Sequence, residues 1–135
     1  MIYNKCINSS EIKFMSVNKE LLIETLETIK ANPQHWNQEN WHCGTTHCFA
    51  GFCELIVKGE SLKKEYLSFP EDVSIYNFWE NTREFSRKQL NLSEYDSDIL
   101  FRPYNSLEDL ERLVNYLIVH GNFDDIDEEN CGYYF

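Results

Sequence analysis

Histidine and cysteine crowd into one short part of this chain. Three of its four histidines and three of its five cysteines lie between His35 and Cys53. Most of them fall in the run Trp41-His42-Cys43-Gly44-Thr45-Thr46-His47-Cys48-Phe49-Ala50-Gly51-Phe52-Cys53. Three roles fit these residue types. A thiol in the first turn of a helix has its thiolate stabilised by the helix dipole and becomes a nucleophile. Cys48 is placed for that role, with His120 as the base and Asn122 or Asp124 to orient it. His42, Cys43, His47 and Cys48 offer two nitrogens and two sulfurs, the ligand types of tetrahedral zinc. Their spacing matches no zinc-finger pattern, however, and neighbouring side chains diverge. The third role is packing, because a free cysteine behaves as a small buried apolar residue. In that reading Gly44 makes a tight turn and Thr46 caps the following helix.

Cys43, Gly44, Thr45, Cys48, Ala50 and Gly51 match a pattern, Cys-Gly-Thr-x-x-Cys-x-Ala-Gly. In this the segment resembles a group of small uncharacterised bacterial and phage proteins. The similarity covers residues 16–119, with 90–101 as the later stretch that precedes the final helix. His47, Phe52 and Cys53 stand outside the pattern. The resemblance implies no particular activity. Separately, Thr46-His47-Cys48-Phe49-Ala50 is similar to the active-cysteine segment of papain-like enzymes, which are far larger.

The elements that must position these residues read as helices. Residues 18–31 form the first, with Asn18 as N-cap, Glu20 in the first turn, and Leu22, Leu26 and Ile29 on one face beside Leu21 and Thr25. Asn32-Pro33 stops it. Residues 33–46 read as an ordered loop packed down by Trp36 and Trp41. A second helix is expected over 47–58, capped by Thr45 or Thr46 and ended by Gly59. It is apolar on nearly every side, as a central buried helix would be. Residues 72–90 and 94–101 suggest two more helices. Ser106 and Asp109 approximate a capping box before a helix carrying Leu107, Leu110, Leu113, Val114, Leu117 and Ile118, which Gly121 terminates. The expected fold is all-α or α-dominated, a compact bundle of about five helices around the helix that carries Cys48. That helix should be flanked by the first and last. Residues 1–14 read as an extension, 15–121 as the helical domain, and 122–135 as an irregular acidic and then aromatic tail.

The chain has 135 residues and 15% aromatics, which suits one folded domain with a real core. No apolar run is long enough to span a bilayer, and the polar Met1-Ile2-Tyr3-Asn4-Lys5-Cys6 does not suit a signal peptide. An odd number of cysteines without an export signal points to free thiols in the cytoplasm. The formal net charge is -11. Residues 1–70 carry eight acids and seven bases, whereas residues 71–135 carry fifteen acids and five bases. A field of that sign repels phosphate backbones and anionic membranes. It suits solubility as a solvated acidic face, a protein partner with a basic surface, or imitation of a nucleic acid's charge. Calcium at Asp124, Asp125, Asp127, Glu128 and Glu129 is disfavoured, because the segment lacks the glycine and alternation of an EF-hand loop. The expected function is an acidic protein-interaction or regulatory module, a bacterial or phage accessory protein. The alternatives are a small thiol-dependent enzyme using Cys48, or a Cys/His metal-binding domain.

Overall fold

A computed structural model describes residues 16–64 and 75–126, except for the side chains of residues 75–80. The expected extension over 1–14, the start of the third helix and the tail from residue 127 lie outside the described residues. Helix α1, Lys19–Ala31, starts where the Asn18 side chain accepts a hydrogen bond from the Leu21 amide. It buries Leu21, Leu22, Thr25, Leu26 and Ile29, the five residues whose spacing marked the inner face. The Asn18 amide also donates to the Leu90 carbonyl oxygen at 2.9 Å, joining the start of α1 to the end of a later helix.

A single 3-10 turn, Pro33–His35, leads into a small antiparallel hairpin of β1, His42–Cys43, and β2, Thr46–His47. Gly44 turns the chain at φ 61°, a conformation that side chains with a Cβ resist. The Thr46 hydroxyl donates to the Cys43 carbonyl oxygen at 2.8 Å across the turn. This region was expected to be loop. Strands of two residues are too short to show an alternating pattern.

Helix α2, Phe49–Lys58, therefore begins later than expected. His47 is engaged in β2, so Cys48, in extended backbone, is the N-cap residue in place of Thr45 or Thr46. All residues from Phe49 to Leu55 are buried, and Gly59 closes the helix in the left-handed conformation. Helix α3 is Ile75–Leu90; its Ser86 hydroxyl donates to the Ala50 carbonyl oxygen of α2 at 2.6 Å. Helix α4 is Glu94–Leu100, capped by Ser93. Helix α5 is Leu107–His120, with a complete Ser106/Asp109 capping box and Gly121 at its end.

The described residues thus form five helices and one small hairpin, a helix-dominated fold. Helix α2 packs most heavily on α3 and α1, and α5 packs on α1. The expected arrangement placed the last helix against α2. Instead α5 has a single apolar stripe, Leu110, Leu113, Val114 and Leu117, and α1 takes it. The core also continues past Gly121. Phe123 is fully buried, and its amide donates to Asp96 Oδ1 at 3.0 Å. None of the described helices is long and apolar enough to cross a membrane.

Candidate functional site

The hairpin lays one face on α2. His42 and His47 are direct partners in its register, so their side chains emerge on the same side. The close approach depends on Gly51. A Cβ there would collide with the Trp41 carbonyl oxygen and come within 2.9 Å of His47 Cβ and 3.1 Å of His42 Cε1. Gln38 secures the preceding loop. Its Oε1 accepts from the Phe49 amide and from Trp36 Nε1, and its Nε2 donates to the Leu100 and Arg102 carbonyl oxygens.

Beneath the hairpin lies a buried polar cluster. His42 Nδ1 is 2.8 Å from His47 Nδ1, and His42 Nε2 is 2.8 Å from Glu54 Oε1. His47 Nε2 is 2.9 Å from the Leu62 carbonyl oxygen, in the loop after α2. Glu54 also accepts from the Thr82 hydroxyl of α3 at 3.0 Å and from Lys58 Nζ at 2.7 Å. Burial alone would raise the Glu54 carboxyl, but the hydrogen bonds from His42 and Lys58 outweigh it and bring the pKa down to about 2. His47 is fully buried, and burial lowers its pKa to about 4. The cluster joins the hairpin, α2, α3 and the loop at Leu62 through charge-assisted hydrogen bonds.

The residues expected to carry chemistry are distributed differently. Cys48 is buried at the N-terminus of α2, and burial pushes its thiol up to about 12 despite the nearby helix amides. It lines a hollow of about 130 Å³ with Gln38, Glu39, Trp41, Phe101 and Pro103. The expected base, His120, is exposed and stacks on Tyr116 with ring centres 4.2 Å apart. It belongs to a separate shallow hollow along α5, so the structure does not pair it with Cys48 there. Asn122 accepts from the Asp124 amide, a contact local to the chain after α5.

The expected zinc set is divided as well. His42 and His47 come together, but their ring nitrogens face each other, Glu54 and Leu62. Cys43 follows His42 in a strand, where successive side chains point to opposite faces. Among the described residues, no group of three His, Cys, Asp or Glu side chains is arranged to hold a metal ion. Within the Cys-Gly-Thr segment, Gly44 supplies the turn, Cys48 the helix start, and Ala50 and Gly51 the close packing against Ser86 and the hairpin. Cys53 is buried, and its thiol too is pushed up to about 12 by burial.

Glu54, Lys58 and Thr82 were not anticipated. One signal for the first was present: a single carboxylate in the otherwise apolar run Phe49-Ala50-Gly51-Phe52-Cys53-Glu54-Leu55-Ile56-Val57 needs partners if it is buried. No protein-family model matches the chain, nor does any curated protein or solved structure.

Proposed function

We propose that the protein is a small interaction or regulatory module whose acidic C-terminal half engages a protein partner with a basic surface. The observation that carries this reading is the disposition of charge. Residues 71–135 hold fifteen acids against five bases. Three of those bases are engaged by the chain's own carboxylates: Arg83 by Glu84, Glu94 and Asp98, Arg87 by Glu84, and Arg112 by Asp109. Glu94, Asp98, Glu108, Asp124 and Asp125 are exposed on this half. Such a field steers a positive partner toward it and repels nucleic acid.

The buried, high-pKa thiols of Cys48 and Cys53 favour this reading over a thiol-dependent enzyme, which needs an accessible thiolate. The free thiols at Cys43, Cys48 and Cys53 fit work in a reducing, cytoplasmic setting. The test begins with cross-linking in the native host and identification of the bound protein. Its purified form is then titrated against the unmodified chain and against Asp98→Lys/Glu108→Lys/Asp124→Lys/Asp125→Lys at rising salt. A basic partner whose affinity falls with salt and with charge reversal supports the proposal. Binding indifferent to both overturns it.

A further inference from the structure

The outer nitrogens of the two buried imidazoles face groups that only accept. These are Glu54 Oε1 at 2.8 Å from His42 Nε2, and the Leu62 carbonyl oxygen at 2.9 Å from His47 Nε2. The lowered Glu54 carboxyl is ionised and has no proton to give. Each Nε2 therefore carries a hydrogen and donates it. The inner nitrogens are 2.8 Å apart while the ring centres are 4.9 Å apart, so both nitrogens lie close to the line joining the centres. If both rings were neutral, each Nδ1 would present only a lone pair, and two lone pairs opposed at that distance repel. A single proton between them converts the clash into an N–H···N hydrogen bond. The four nitrogens then hold three protons, and the pair carries one positive charge.

We propose that His42 and His47 share one proton between their Nδ1 atoms, so that a buried imidazolium–imidazole pair, with Glu54 as its counter-charge, latches the hairpin onto α2. The proton resides on the His42 side, because the Glu54 carboxylate faces that ring at 2.8 Å whereas the outer nitrogen of His47 faces only a neutral carbonyl oxygen. Among the described side chains, the titratable groups around the pair and its counter-charge include His35 on the 3-10 turn, Lys58 on α2, and the buried thiols of Cys48 and Cys53. His35 turns Nδ1 to the Thr45 carbonyl oxygen at 2.7 Å, and Lys58 bonds the far oxygen of Glu54. A zinc ion in the proton's place, at metal–nitrogen bonds of about 2.0–2.1 Å and tetrahedral angles, would hold the nitrogens more than ~3 Å apart. The observed spacing is that of a hydrogen bond. Loss of this one proton removes the contact between the strands' side chains and frees the hairpin from the chain of bonds that runs from Leu62 to Glu54. The latch is thus a two-state element.

The test is nitrogen-15 NMR of the full chain, labelled at histidine, at neutral pH. Three ring N–H protons across His42 and His47 are expected, one of them far downfield and attached to Nδ1. Glu54→Gln keeps the acceptor's shape but removes its charge. It should reduce the ring protons to two and speed amide exchange at Thr46 and His47 by at least about tenfold. Lys58→Met should leave three. Two ring protons in the unmodified protein overturn the proposal, as does a metal ion found by elemental analysis with both Nδ1 resonances displaced. The unmodified protein decides the matter even if Glu54→Gln fails to fold.

Discussion

The backbone carbonyl of Trp41 lies directly over Gly51, so close that a Cβ at residue 51 would collide with it. The hairpin rests on α2 because this residue has no side chain. Gly51→Ala should therefore lower stability by about 1–3 kcal/mol through overpacking. Gly44 is a useful contrast. A Cβ there meets nothing within 4 Å, and only its φ of 61° resists substitution. Gly44→Ala should cost about 1 kcal/mol. Urea unfolding of the two variants checks both the order and the sizes.

Glu54 holds partners from three elements, so its removal is expected to be the most damaging single change in the cluster. Glu54→Ala leaves His42, Lys58 and Thr82 without the carboxylate they share. A loss of about 3–5 kcal/mol is expected, the usual effect of breaking one side of a buried ion pair. Equal stability of this variant and the parent in chemical denaturation would sink the account of the cluster as a clamp.

Acid should weaken the fold in two stages. Folded His47 titrates near 4 rather than at its ordinary 6.5, so the unfolded chain binds more protons between those values. Stability thus declines as pH drops from 6.5 toward about 4. Folded Glu54 titrates near 2 rather than at 4.5. Its contribution, complete above 4.5, is lost as pH falls toward about 2. Thermal melts from pH 7 to pH 2 should show both declines, and His47→Gln should remove the upper one.

Cys48 and Cys53 should resist alkylation near neutral pH in the native protein and react once it is unfolded. Both are buried, with thiols pushed up to about 12, so almost no thiolate forms. Intact mass after timed iodoacetamide treatment, with peptide mapping, measures this. Rapid native labelling at Cys48 would revive a nucleophilic role.

Phe123 lies beyond the last helix yet is fully buried, with Tyr116 5.9 Å away between ring centres. Phe123→Ala should cost about 3–5 kcal/mol, a loss out of keeping with a dispensable tail residue. Differential scanning calorimetry of the variant tests it.

Much of the helical framework is legible along the chain, because its signals are local. Asn18 caps α1 within three residues, Ser106 and Asp109 cap α5 within three, and Gly59 and Gly121 end their helices at a single position. The apolar period of α1 and α5 names their buried faces directly. The candidate site depends on relations of another kind. Two-residue strands carry no readable period, so the pairing of His42 with His47 is a matter of register, and that register moves the start of α2 from His47 to Phe49. Glu54 is visible as a lone acid in an apolar run. Two of its partners come from residue 42 and residue 82, positions that meet it only when the hairpin and α3 pack on α2. The choice of α1 as the neighbour of α5, and the capture of Phe123 by Asp96 on α4, are likewise set by which surfaces fit. Capping and periodicity act within a turn or two of helix, where the sequence alone determines the outcome; hydrogen bonds between distant residues exist only once packing has brought their atoms within reach, so only the tertiary structure could decide them.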